Sequence, residues 1–167
     1  MADTAGASPE QRLLAAARQD NVEQVEKIFE GSVNVNCTDG LGNTPLHNAA
    51  YYGSFEVLEH ILSHKDCDVD PVNKVDKATP LHMAVQIEDP DVRHVIVSSL
   101  LEAGADTLLK NKKGQTAEQL LKSDDSNVGA LFKKFRAQAS ISRDDIANVF
   151  LADDDDEGSA GSASDED

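Results

Sequence analysis

Histidines at two equivalent positions are the first candidates for chemistry in this chain. His47 ends the tetrapeptide Thr-Pro-Leu-His, and His82 ends an identical tetrapeptide 35 residues later. Histidine is the side chain most often used as a general acid or base near neutral pH. A catalytic residue is seldom needed twice at a fixed spacing, so the repetition favours a structural role. We predict that neither histidine is catalytic.

A second pair, His60 and His64, has the i, i+4 spacing that can place two zinc ligands on one helix face. The H-E-x-x-H context of a metalloprotease is absent, and only Cys67 or Asp66 could add a third ligand. We interpret both histidines as exposed residues of a helix and expect no metal.

The two cysteines, Cys37 and Cys67, are too few for a metal cluster or a disulfide framework. Nothing in the sequence marks a base that would activate either thiol. The G-x-x-x-x-G-K-[ST] phosphate loop and the G-x-S-x-G nucleophile turn are also missing. We therefore predict no catalytic residue, no cofactor and no enzymatic activity. Two isolated cysteines also favour a reducing compartment.

The elements that hold these residues repeat every 35 to 37 residues, because Thr116 opens a weakened form of the motif that starts at Thr44 and Thr79. A period of this size fits one supersecondary unit of a solenoid. Thr44 is suited to cap a helix, and Pro45 is suited to its first position. Gly42 can adopt the positive φ that a tight turn before the helix requires.

This pattern resembles the ankyrin-repeat family, whose signature includes T-P-L-H-x-A at a period near 33 residues. The resemblance covers residues 11–136 and implies an all-α fold, an ankyrin-repeat solenoid of about four helix–turn–helix units joined by β-turn fingers. It also implies that the motif histidine ties neighbouring turns by hydrogen bonds. The third repeat departs from the pattern: Lys77 replaces the turn glycine, Glu88 replaces the glycine found at Gly53, and the segment that follows is longer.

The resemblance and the composition together predict three parts of the chain. Residues 1–9 and the acidic tail 153–167 are expected to be disordered, the tail because it cannot form a core. Residues 10–152 are expected to form the ankyrin-repeat domain. The four repeats and a short C-terminal helix are expected at about 10–42, 43–77, 78–114, 115–137 and 143–151.

The net charge of −16 argues against a nucleic-acid ligand and favours a basic protein partner. Residues 110–136 are the exception, with seven Lys and Arg, and the acidic tail could fold back on them or only confer solubility. No apolar run approaches the ~18 residues that cross a bilayer, and residues 1–9 lack the apolar core of a signal peptide. We expect a monomer in the cytoplasm, the nucleus or both, without membrane contact.

Ankyrin stacks bind proteins along the turn tips and the exposed part of the first helices, and the resemblance implies the same surface here. Leu41, Tyr51, Tyr52 and Ile87 would form a central apolar anchor, since tyrosine is enriched at binding hot spots. Asp39 and Asp76 would form its rim. Alternatively, one tyrosine simply packs against the neighbouring repeat. The implied partner-binding residues are Leu41, Asn43, Tyr51, Tyr52, Asp76, Gln86, Ile87, Lys112 and Lys113.

Two functions follow from these observations. The first is a non-enzymatic protein–protein interaction module, an adaptor or scaffold that binds a partner through the turn tips and the concave helix face. The alternative is a chaperone or escort of a basic client, such as a ribosomal protein or a histone, that uses the acidic body and tail.

Overall fold

The computed structural model describes residues 6–141, which divide into two compact units, one ending at Phe132 and one beginning at Lys133. In the described part of the second unit, residues 133–141 are helical. The α-helices of the first unit are α1 (Pro9–Gln19), α2 (Val22–Phe29), α3 (Pro45–Tyr52), α4 (Phe55–Leu62), α5 (Pro80–Ala84), α6 (Pro90–Glu102) and α7, which covers residues 126–132 of this unit. Between residues 6 and 141 there is no strand, and none of the helices there is long and apolar enough to span a membrane. The predicted all-α class is confirmed.

The helices of the first unit form two layers. Helices α1, α3 and α5 pack side by side as an inner layer, and α2, α4 and α6 pack as an outer layer behind them. The core between the layers is aliphatic, with Leu13, Leu46 and Leu81 of the inner layer at most 1% exposed. Ala49 and Ala84 are also fully buried, and their small size lets neighbouring helices approach closely.

The inner helices begin with the same reciprocal cap. In α3, the Thr44 hydroxyl accepts a hydrogen bond from the backbone N–H of His47, and the imidazole accepts one from the backbone N–H of Thr44. Helix α5 repeats this arrangement. In α1, Ser8 and Gln11 take the two roles, with Pro9 at the first helical position. The helix thus starts within the segment 1–9 predicted to be disordered, because Ser8 and Pro9 are a variant of the Thr-Pro start.

The turn between α1 and α2 also supports the second repeat. Asn21 caps α2 by accepting the N–H of Gln24. Asp20 ends α1 in the left-handed conformation, with φ of 53°, and its carboxylate accepts the backbone N–H of Val57 at 3.0 Å. Helix α4 has no side-chain cap from its own N-cap residue, Ser54. The first repeat therefore supplies the cap of a helix in the second.

The third repeat departs from the others around Arg93. Helix α6 begins at Pro90 with Asp89 as N-cap. The Arg93 guanidinium, which is buried, donates hydrogen bonds to the carbonyls of Ile87 and Glu88. It therefore satisfies carbonyls of the segment in which Glu88 replaces the glycine of the second repeat.

The same guanidinium anchors the last repeat. Arg93 Nε lies 2.5 Å from Asp125 Oδ2, and both side chains are only 7% exposed. The other Asp125 oxygen accepts the backbone N–H of Val128 in the first turn of α7. Val128 and Phe132 are fully buried. One carboxylate therefore joins α6 to α7 and caps α7.

The fourth repeat contains less helix than the sequence predicts. Its first element is a 3-10 helix of three residues, Glu118–Leu120, in place of an inner α-helix. Thr116 and Gln119 still form the reciprocal cap, but Leu121 is already extended and Asp125 starts the next helix. The predicted helix 143–151 and the acidic tail 153–167 lie outside the described residues.

The residue two positions before each motif threonine has a positive φ: 83° at Gly42, 54° at Lys77 and 76° at Gly114. A Cβ on Gly42 would lie 2.7 Å from the backbone nitrogen of Lys74, which leaves no room for a side chain. The third repeat adopts this backbone with a lysine, so Lys77 is strained.

Candidate functional site

Three turns project beside the inner layer; we call residues 38–43, 73–78 and 110–115 fingers 1, 2 and 3. Each finger is organised by one side chain near its base: Asp39, Asn73 or Asn111. In each case one side-chain oxygen accepts two backbone N–H groups of the same finger at 2.9–3.1 Å. The finger backbones are therefore fixed locally.

Neighbouring fingers are also joined to each other. The Lys74 N–H donates to the Leu41 carbonyl at 3.0 Å, and the Lys112 N–H donates to the Asp76 carbonyl at 2.6 Å. Asn73 Nδ2 donates to Asn43 Oδ1 at 3.0 Å. Asn43, one of the predicted partner-binding residues, thus uses its side-chain oxygen to hold two fingers together.

The motif histidines complete this framework. His47 Nε2 donates to the Ala78 carbonyl at 2.8 Å, and His82 Nε2 donates to the Gln115 carbonyl at 2.9 Å. Each ring therefore connects its own repeat to the finger of the next, which confirms the predicted role. Both histidines are 1% exposed, and burial lowers the pKa of His47, so this ring is neutral at physiological pH.

Two adjoining pockets lie between the fingers and the inner helices. The first, of about 380 Å³, we call the tyrosine pocket, and the second, of about 500 Å³, the lysine pocket. Met83 lines both, and we call the two together the groove. Of the predicted binding residues, the tyrosine pocket contains Leu41, Asn43, Tyr51 and Tyr52, and the lysine pocket contains Asp76, Gln86, Lys112 and Lys113.

Ile87, the remaining predicted residue, lines neither pocket. It is half-buried, and its carbonyl is held by Arg93. Its backbone contact with Arg93 leaves its role in partner binding a prediction.

The two tyrosines of the groove are largely exposed. Tyr51 and Tyr52 are 59% and 56% exposed, and Leu41 opposite them is 57% exposed. The tyrosine rings meet edge to face, with centroids 5.0 Å apart. Neither ring is buried against the neighbouring repeat, so both remain available to a partner.

The floor of the groove contains residues that the sequence did not single out. The residue directly after the motif histidine lines the groove in two repeats, as Asn48 and Met83, and Leu120 has the same position in the last repeat. We call this the floor position. Asn48 is only 5% exposed, and its Nδ2 has no hydrogen-bond partner in the part of the chain that the structure describes. The one sequence signal for the floor position is that its residue type differs between the repeats, while the motif around it is kept.

His60 and His64, the candidate zinc ligands, make structural contacts. His64 lies beyond the end of α4 and packs its ring on Phe29, with centroids 4.9 Å apart. His60 contacts Glu26 at 3.2 Å. From Gly6 to Ile141 no three His, Cys, Asp or Glu residues are grouped in a way that could hold a metal.

Both cysteines are free thiols, and their chemistry is suppressed. Burial raises the pKa of Cys37 to about 11, and burial also raises the pKa of Cys67 to about 11. Because the thiolate is the nucleophile, neither cysteine is activated at neutral pH.

Comparison with known proteins agrees with this architecture. A family model described as ankyrin repeats, in three copies, matches residues 13–111. The chain belongs to the ankyrin-repeat family. The match ends before the fourth repeat, where the inner α-helix is replaced by the 3-10 helix. Ankyrin repeats generally mediate protein–protein interaction, and the family is typically non-catalytic.

The relatives differ in how much of their length this chain represents. The ankyrin repeat-containing protein YGL242C of Saccharomyces cerevisiae is 37% identical over 135 residues, which cover 74% of this chain and 75% of that protein. The E3 ubiquitin-protein ligase hecd-1 of Caenorhabditis elegans is 36% identical over 107 residues, 64% of this chain but 4% of the ligase. The putative ankyrin repeat protein YahD of Escherichia coli is 29% identical over 108 residues, 64% of this chain and 53% of that protein.

Proposed function

We propose that this protein is a non-enzymatic adaptor that holds a partner protein in the groove between its fingers and its inner helices. The observation that carries the proposal is the exposed cluster of Leu41, Tyr51 and Tyr52 in the tyrosine pocket. Tyrosine offers a large contact area with few rotatable bonds and a polar hydroxyl, which suits it to the centre of an interface.

The framework around this cluster supports the same function. The fingers are fixed by side-chain hydrogen bonds, and buried His47 and His82 connect them to the repeats. A preorganised surface loses little conformational entropy on binding, so more of the contact energy appears as affinity. The helices thus provide rigidity, and the groove provides recognition.

The test begins with a partner recovered by affinity purification from the native cell and identified by mass spectrometry. Its dissociation constant is then measured by calorimetric titration against the wild type and against Tyr51→Ala/Tyr52→Ala. We expect the double substitution to cost about 2 kcal/mol or more, roughly 30-fold in affinity.

A matched control is Val95→Ala/Leu108→Ala. These two residues are 40% and 58% exposed and line neither pocket. The control should bind as the wild type does. Equal binding by the tyrosine variant would refute the groove as the binding surface.

A second candidate function, escort of a basic client, is favoured by the outer layer. Helices α2 and α4 carry four exposed glutamates, at Glu23, Glu26, Glu56 and Glu59, against one lysine, Lys27. A basic client would be attracted to this outer surface rather than to the groove. A complex that weakens strongly with salt and is indifferent to the tyrosine substitutions would favour escort over the adaptor.

A further inference from the structure

The fingers have the opposite charge to the chain as a whole. Together they carry five lysines against two aspartates, a net charge of +3, whereas the chain has a net charge of −16. All five lysines are exposed. They are Lys74, Lys77, Lys110, Lys112 and Lys113. The groove is therefore bordered by a local positive field on an acidic protein.

The aspartates of the fingers do little to cancel that field. Asp39 pairs with Arg18 at 3.1 Å and also accepts two backbone N–H groups of its own finger. Its charge is thus compensated within the protein. Asp76 lies in the lysine pocket with Lys112 and Lys113, which outnumber it. The groove is close to neutral at the tyrosine pocket and positive at the lysine pocket.

The floor of the groove shows a second gradient, from polar to apolar. Asn48 lies below the tyrosine pocket, Met83 is shared by both pockets, and Leu120 lies in the lysine pocket. The Asn48 amide is nearly buried and has an unsatisfied donor, which costs free energy in the unbound protein. Rotation of this amide would present the donor to the groove, where a peptide carbonyl could accept it.

We propose that the groove binds an extended acidic segment of a partner protein. A backbone carbonyl of the segment accepts from Asn48, an apolar side chain contacts Met83 between the two tyrosines and finger 2, and carboxylates pair with Lys112 and Lys113. This inference rests on the proposed adaptor function and specifies the chemistry of the partner. It differs from the basic partner that the net charge alone favours.

The spacing of the repeats sets the spacing of the ligand. Packed helices lie about 8–10 Å apart, and an extended peptide advances about 3.3 Å per residue. The tyrosine and lysine pockets are one repeat apart along the inner layer. An acidic residue should therefore lie about three residues from the apolar residue that occupies the tyrosine pocket.

The test is a selection of random twelve-residue peptides displayed on phage against the full chain. We expect enrichment of peptides that carry an apolar residue and, about three positions away, Asp or Glu. Lys112→Glu/Lys113→Glu should lose these peptides. Lys27→Glu/Lys65→Glu changes the net charge equally at exposed lysines that line neither pocket, and it should keep them.

The most enriched peptide is then titrated by fluorescence polarisation. We expect its affinity to fall at least about 10-fold with the Lys112/Lys113 reversal and to fall with added salt. Asn48→Leu, which keeps the branched shape of the side chain and removes the unsatisfied amide, should weaken the peptide about 5- to 10-fold. The same variant should raise the urea midpoint, because it removes the cost of a buried amide without a partner. If Asn48 had a structural role instead, its replacement would lower the midpoint.

Enrichment of basic peptides, absence of any enriched peptide, or equal binding of acidic peptides by the Lys112/Lys113 variant would each overturn this inference. Basic peptides that still require Tyr51 and Tyr52 would overturn it and leave the adaptor function standing. Ligands that require neither the tyrosines nor the lysines would overturn both.

Discussion

Removal of either partner of the buried ion pair between Arg93 and Asp125 should be among the most destabilising single changes in this fold. The pair lies 2.5 Å apart with both side chains 7% exposed. Asp125→Asn removes the negative charge and leaves a buried guanidinium without its anion. Loss of one partner of a buried pair costs about 3–5 kcal/mol. We expect about 3 kcal/mol, because Arg93 keeps the carbonyls of Ile87 and Glu88.

The complementary change, Arg93→Met, should cost a similar amount. It leaves those two carbonyls without their donor, and it leaves the Asp125 carboxylate buried and bonded to the Val128 N–H but without its cation. In the double variant neither charge remains unpaired, so its cost should be lower than the sum of the single costs by about 2 kcal/mol. Single domains have unfolding free energies of about 5–15 kcal/mol, so the single variants should still fold.

The assay is urea unfolding at 25 °C and pH 7.5, followed by far-UV circular dichroism and linear extrapolation to water. The control is Glu23→Gln, which breaks the Lys27 pair whose side chains are 79% and 68% exposed and should leave the midpoint unchanged. The reasoning fails if Asp125→Asn costs less than about 1 kcal/mol, or if the single costs of the Arg93 and Asp125 changes simply add.

The remaining predictions use the same assay. Lys77→Gly should raise the unfolding free energy by about 0.5–1 kcal/mol, because φ is 54° at this residue. Gly42→Ala should lower the unfolding free energy by about 2 kcal/mol or more, because the added Cβ would collide with Lys74. A change of the opposite sign in either variant would contradict the account of the turn. Burial holds the pKa of His47 below its usual value near 6.5, so the unfolded chain takes up this proton first and stability should fall as the pH drops from 7 through 6.5. His47→Gln keeps the cap, as Gln11 does in α1, and should show a smaller loss between pH 7 and 5.5; an unchanged slope would exclude His47 as a source of the pH dependence.

The parts of the fold that the sequence predicts are those determined by local chemistry. Thr44 and Pro45 specify the start of α3 because capping involves residues within four positions of each other. Asp89 and Pro90 specify the start of α6 in the same way. The start of α1 at Ser8 uses the same capping chemistry with different residue types, so the Thr-Pro-Leu-His letters do not predict it.

The parts that could not be predicted depend on residues far apart in sequence. The ion pair of Arg93 joins residues 32 positions apart, and its geometry exists only once α6 and α7 are packed. The exposure of Tyr51 and Tyr52 followed from their place at the end of an inner helix. The unsatisfied amide of Asn48 could not be predicted, because the sequence does not indicate whether an asparagine side chain at this position finds a hydrogen-bond partner.

The hydrogen bond between the Asp20 carboxylate and the N–H of Val57 makes the start of α4 depend on the first repeat. During synthesis the first helix pair leaves the ribosome before α4 does, so the acceptor is in place when the amides at the start of α4 appear. Conversely, local unfolding of α1 and α2 would remove the Asp20 acceptor from α4. Damage at this end would therefore spread inward, and proteolytic trimming of the first helix should loosen the second repeat as well.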